Sequence, residues 1–117
     1  MPERLARLLN EVDERAESIT ESVVRFRLRS LGLSPRVQVD IAGVGRVDLV
    51  LGAKLVIELD SKKYHTDIDK YERDRRRDAK LSALGYRVLR FSYRQVFERW
   101  SEVRAAIFGA LARNDQS

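Results

Sequence analysis

The sequence predicts an α/β fold of the mixed-sheet, α+β kind, with elements in the order α-β-β-β-α-β-α. Three observations carry that prediction. Apolar residues recur at helical spacing before Pro35 and alternate after it. Leu55-Val56-Ile57 is a continuous apolar run, the pattern of a strand buried on both faces. A helical stretch closed by Gly85 separates that run from another strand-like segment, so the last strand is brought back to the sheet by a helix.

Taken in order, residues 2–31 hold no interior Gly or Pro, and Ile19, Val23, Val24, Leu28 and Leu31 fall at helical spacing. One long helix or two short ones fill the stretch. Ser18 or Thr20 is placed to cap a second helix, and Gly32 stands where a helix would stop. Residues 37–41 alternate, Gly43 and Gly45 supply a turn, and residues 47–51 are largely apolar, which makes a hairpin. Gly52-Ala53 turns the chain into the third strand, ending near Asp60, and residues 60–70 are polar and loop-like. A helix follows over 71–84, closed by Gly85. Tyr86, Val88, Leu89 and Phe91 form the fourth strand, and a helical region over 94–113 breaks near Trp100-Ser101. Residues 114–117 should fray.

A chain of 117 residues is one domain's worth, with a core spanning about 18–108. Hydrophobic residues make up 44% and charged residues 35%, a globular rather than a disordered composition. The absence of cysteine excludes disulfides and thiolate zinc sites, and one histidine leaves little for imidazole-based ones. The start of the chain has no signal-like apolar segment, and no run is long enough to span a bilayer. The expectation is a soluble, cytoplasmic protein with no membrane partner; its oligomeric state is left open.

The 23 Lys and Arg exceed the 18 Asp and Glu, giving a net charge of +5, and the charge is segregated. Residues 1–22 carry net −3, whereas Arg25, Arg27, Arg29 and Arg36 follow with no acid between them. Residues 86–104 repeat the bias, with five Arg against Glu98 and Glu102. Stripes of this kind suit a polyanion, and equally a plain solvated surface.

Chemistry concentrates around two strands. Asp48 lies within the second, flanked by apolar residues, where a carboxylate needs a partner. Glu58 and Asp60 end the third, and their i, i+2 spacing points both to one side. Acids converging in this way raise one another's pKa unless a cation neutralises them, which is the setting for Mg²⁺ or Mn²⁺ held by Asp48, Glu58 and Asp60. Ser61-Lys62-Lys63-Tyr64-His65 follows at once. A lysine there can stabilise charge on a phosphate, and an imidazole can move a proton near neutral pH. The group suits phosphodiester hydrolysis, although a loop His and a Lys pair taken singly are ordinary surface residues.

Together, Gly45-Arg46-Val47-Asp48, Val56-Ile57-Glu58-Leu59-Asp60-Ser61 with His65, Arg73-Asp74-Arg75-Arg76-Arg77-Asp78 and Gly85-Tyr86-Arg87-Val88-Leu89-Arg90-Phe91 resemble a bacterial family of uncharacterised domains. These are relatives of the very-short-patch-repair (Vsr-like) endonucleases within the PD-(D/E)XK superfamily. The resemblance covers about residues 18–108 and implies a restriction-endonuclease-like core. It also implies a metal-dependent endonuclease hydrolysing DNA, in repair or defence. By the resemblance Asp48 matches the metal-binding aspartate, Glu58 the acidic member of the E-x-K pair, and His65 the catalytic histidine. Asp60 stands where that motif has lysine, so either Lys62 or Lys63 takes over, or Asp60 is itself a ligand and His65 does the proton work. The repair enzymes' structural zinc has no counterpart here, so mismatch specificity is not implied.

Glu21 precedes Val24 and Leu28 by three and seven residues and should point inward, where a helical acid completes the metal site in the superfamily. Asp74 and Asp78 share a face with Tyr71 and Leu81 and are read as pairing with Arg75 or Arg77. Arg25, Arg29, Arg73, Arg76 and Lys80 are the candidate phosphate contacts. The implied partner is nucleic acid, DNA ahead of RNA. The alternatives are a catalytically inactive nucleic-acid-binding module and an interaction domain of a longer protein.

Overall fold

The computed structural model describes residues 2–60 and 68–114. Its elements are α1 (Glu3–Ser30), β1 (Arg36–Ile41), β2 (Gly45–Leu51), β3 (Leu55–Asp60), α2 (Ile68–Ala83), β4 (Arg87–Ser92), α3 (Tyr93–Glu98) and α4 (Trp100–Asn114). The expected order is the observed one, with the last helical region divided at Arg99. β1 pairs antiparallel with β2 and β2 with β3, while β4 returns parallel to β3, giving a four-stranded mixed sheet in sequence order.

The first helix is a single element. Thr20 is no cap: its hydroxyl donates to the Ala16 carbonyl at 2.7 Å, one turn back inside an unbroken helix. With no Gly or Pro over residues 3–30, nothing interrupts the backbone ladder. Both glycine stops operate. Gly32 (φ +85°) and Gly85 (φ +87°) adopt the left-handed conformation, and the residues after them close the turn through Leu33 N–H to Leu28 O at 3.0 Å and Tyr86 N–H to Leu81 O at 2.9 Å. α2 begins at Ile68, three residues before the expected start. α3 is opened by a capping box, with Gln95 N–H donating to Ser92 Oγ at 3.1 Å and Ser92 N–H to Gln95 Oε1 at 2.9 Å.

The sheet is covered on both faces. Leu49, Leu51, Leu55, Ile57, Leu59 and Phe91 pack with α1 (Val24, Leu28), α3 (Val96) and α4 (Val103, Ile107, Ala110). Val50, Val56 and Val88 meet Leu81 of α2, with Ile41 and Val47 joining the cluster. β3 is the central element: Leu55 to Leu59 are all buried, as the apolar run 55–57 requires. Among the described residues, no helix is long and apolar enough to cross a membrane.

Candidate active site

The face under α2 changes character partway along the strands. Alternation places Val50 and Asp48 on one side of β2, and Val56, Glu58 and Asp60 on the same side of β3. Arg90 of β4 is the register neighbour of Glu58. α2 mirrors the change, since Leu81, Arg77, Asp74 and Lys70 lie along one stripe at i, i+3 and i+4 spacing. Leu81 is fully buried against the apolar end, and Arg77, Asp74 and Lys70 face the polar end.

At the junction the sheet hydrogen bonding is taken over by side chains. Paired register ends at Leu49 with Ile57, and the next pair outward is Asp48 opposite Glu58. Asp48 N–H donates to Glu58 Oε2 at 3.1 Å, and Leu59 N–H donates to Asp48 Oδ2 at 2.8 Å. Each carboxylate is thus fixed by the backbone of the facing strand. Arg77 spans the pair, donating from Nη1 to Glu58 Oε1 at 2.5 Å and from Nη2 to the Arg46 carbonyl.

Glu58 is only 5% exposed. Burial, then the neighbouring charge of Asp48 and a hydrogen bond shared with its carboxyl, push the Glu58 pKa up to about 7; Arg77 and the Asp48 N–H pull the other way and do not offset them. At neutral pH the pair therefore shares its negative charge with a proton. Asp74 behaves oppositely. Partial desolvation raises its pKa, but the hydrogen bond from Lys70 and the charges of Lys70, Arg90 and Arg77 outweigh it and hold the carboxyl below its usual range.

The pair opens into a cleft of about 280 Å³ lined by Asp48, Glu58, Asp60 and Asp74, with Arg46, Lys70, Arg77 and Arg90 around them and Glu17 at one side. A second cleft of about 450 Å³ shares Asp48, Arg46 and Glu17 and adds Glu21 and Gln38. Gln38 has φ +49°, an unusual value for a residue with a side chain, and joins the two sides by donating to Glu21 Oε2 at 3.4 Å and accepting from Arg46 at 3.5 Å.

The structure therefore brings Asp48, Glu58 and Asp60 to one cleft and places Glu21 in the adjoining one. Glu21 is half-buried. Glu17, one turn earlier on the same stripe, reaches both clefts; extending the 28-24-21 spacing back by four residues would have found it. Lys62, Lys63 and His65 lie outside the described residues. Arg25, Arg29, Arg73, Arg76 and Lys80 do not line the acidic cleft; all are exposed except Arg25, which is half-buried. The cleft's cations are instead Arg46, Lys70, Arg77 and Arg90, and Arg77 meets Glu58 rather than a helical acid. Asp78 does pair within the helix, with Arg75 at 3.0 Å, and also with Arg90 at 2.8 Å. Several members of the basic stripes serve the fold. Arg27 donates to the Val96 carbonyl at 2.8 Å and stacks on Trp100, and Arg36 donates to the Gly52 carbonyl at 2.6 Å.

The family model REase_MTES_1575 matches residues 20–111, a span that takes in all four strands, α2 and the Asp48–Glu58 pair. The chain belongs to that restriction-endonuclease-like family. A solved structure, the "Homing Endonuclease I-Bth0305I Catalytic Domain", is similar over 75% of this chain and 88% of that one, with a TM-score of 0.63 and 24% identity. At that identity the likeness concerns the fold. No curated protein matches the chain. The REase_MTES_1575 span leaves out Glu17 but includes Glu21 and every other charged residue of the first cleft.

A hard, oxygen-liganded cation is what this donor set fits. Asp48 and Glu58 face each other with oxygen donors only, and their mutual repulsion is incompletely offset by Arg77. Among the described residues no group of three acids or histidines stands ready to enclose a metal ion. Asp48 and Glu58 are thus the residues that would hold one, with Asp60 at the same cleft.

Proposed function

We propose that the protein is a Mg²⁺- or Mn²⁺-dependent endonuclease that hydrolyses phosphodiester bonds of DNA. The observation that carries the reading is the fixed Asp48–Glu58 pair at the mouth of an open cleft ringed by Arg46, Lys70, Arg77 and Arg90. Family membership and the fold of a homing-endonuclease catalytic domain support it.

When bound by Asp48 and Glu58, the metal supplies a polarised phosphate and a water of lowered pKa. The remaining roles fall to the chain itself. The cleft cations receive the phosphate and stabilise charge that builds on it. The backbone bonds at Leu59 and Asp48 hold the two carboxylates in place before substrate arrives. His65 moves a proton, and Lys62 or Lys63 takes the part that lysine plays in the E-x-K motif, where this chain has Asp60. Arg73, Arg76 and Lys80, on the outer side of α2, contact phosphates flanking the cleavage point. Such contacts position the nucleic acid without reading its sequence.

The test is incubation with duplex DNA, single-stranded DNA and RNA in Mg²⁺, Mn²⁺ or EDTA. The expected result is internal cleavage of DNA with either metal and none in EDTA. Intact substrates throughout, with metal binding shown by calorimetry, would falsify the nuclease reading.

A further inference from the structure

α1 carries a second apolar stripe that the domain does not use. Leu5, Leu9, Val12, Ala16, Ile19, Val23 and Phe26 follow an unbroken 4-3-4-3-4-3 spacing, the seam of a heptad repeat. At about 100° per residue this seam lies across the helix from Thr20, Val24 and Leu28, which face the domain. It is open: Leu5 is 43% exposed, Leu9 45%, Val12 55%, Ile19 59% and Phe26 71%. Moreover, none of residues 3–15 is buried, so half of the helix stands without tertiary support. A segment of that length is marginal in water by itself.

Charge along the same helix identifies what covers the seam. Residues 1–22 carry net −3, whereas residues 23–30 hold Arg25, Arg27 and Arg29 and no acid. A parallel copy would lay like charge on like. An antiparallel copy lays the acidic part of each helix along the basic part of the other, and such an interface is self-complementary about a two-fold axis. Setting Ala16 against Ile19 of the second copy also brings Leu9 against Phe26 and Val23 against Val12, so the seam is filled by itself. Because the seam faces away from the sheet, the two domains lie on opposite outer sides.

We propose that the protein dimerises through an antiparallel pairing of α1 with α1 of a second copy. Glu17 and Glu21 are on the helix side that faces the clefts, so the pairing leaves both clefts open.

Sedimentation velocity of the full chain over a range of micromolar concentrations should give a species of twice the 13.5 kDa chain mass. Added salt should weaken it, since the helix charges attract. Val12→Glu with Ile19→Glu should raise the dimer Kd by about 100-fold or more, because the interface would bury unpaired carboxylates, while circular dichroism checks that the fold is kept. Direction is read by cross-linking, which is simple in a chain without cysteine. Leu9→Cys alone should not form an inter-chain disulfide under mild oxidation, and Leu9→Cys with Phe26→Cys should. Arg25→Glu with Arg29→Glu should weaken the dimer even without DNA, which separates this role from phosphate contact. A monomer at every concentration would mean that the seam belongs to another partner and would overturn the proposal, as would efficient cross-linking of Leu9→Cys alone. Neither result bears on whether the cleft cleaves DNA.

Discussion

Glu58→Gln should stabilise the metal-free protein at alkaline pH and not at acidic pH. Glu58 has a carboxyl pKa raised from 4.5 to about 7, by burial first and by Asp48 second. The sign follows from where each state ionises. Below pH 4.5 the acid is neutral in the folded and the unfolded chain, so its raised pKa costs no stability. Between 4.5 and about 7 the unfolded chain gives up the proton while the folded chain keeps it, and stability falls as pH rises. Above 7 the loss is complete and amounts to about 3 kcal/mol. Glutamine does not titrate, so this loss is absent from the variant. Urea melts of both proteins in EDTA at pH 4 and pH 8 give two stability differences, and offsets from altered packing or from Arg77 losing its anion largely cancel between them. The variant's advantage should be larger at pH 8 by about 3 kcal/mol. A difference that stays flat with pH, or that favours wild type at pH 8, refutes the account of the pair's electrostatics.

Divalent cation affinity should depend on pH in the opposite sense, because the cation needs Glu58 ionised. By titration calorimetry it should rise from pH 6 to pH 8, falling by up to about tenfold per unit below the pKa of about 7; a pH-independent affinity would place the ion elsewhere. Arg77→Met removes the cation that spans Glu58 and the Arg46 carbonyl, so it should cost about 3 kcal/mol at pH 8 and raise the Glu58 pKa further, both readable from the same melts. His65→Ala should leave metal affinity unchanged and slow cleavage roughly 10²–10⁴-fold, flattening the pH–rate profile near 6.5. Wild-type rates with an unaltered profile would make the imidazole a bystander. Lys62→Ala and Lys63→Ala are separated by kinetics: a lysine that stabilises the transition state lowers turnover more than affinity.

Much of the fold was legible because local signals and tertiary packing agree. Gly32 and Gly85 end helices as their position suggests, and the apolar run at 55–57 becomes the strand buried on both faces. Thr20 misled because a hydroxyl able to cap a helix can equally donate to the carbonyl one turn back, and sequence does not separate the two. The carboxylates of the site were legible from strand period alone: Asp48, Glu58 and Asp60 share a face. Their cations were not. Arg77 meets Glu58 across 19 positions and Arg90 meets Asp78 across 12, pairings set by how α2 crosses the sheet rather than by any local spacing. The basic stripes were overread for the same reason, since Arg27 and Arg36 spend their guanidinium groups on backbone carbonyls of distant segments.

The most direct test of the central claim compares wild type with Asp48→Ala on one labelled duplex, measuring DNA affinity and cleavage in Mg²⁺ side by side. Asp48 holds the Leu59 amide and faces Glu58, so its loss should abolish metal binding and cleavage while DNA affinity, set by the basic residues, is retained. Cleavage by the variant at the wild-type rate, or DNA bound equally well by both proteins and cut by neither, would contradict the account.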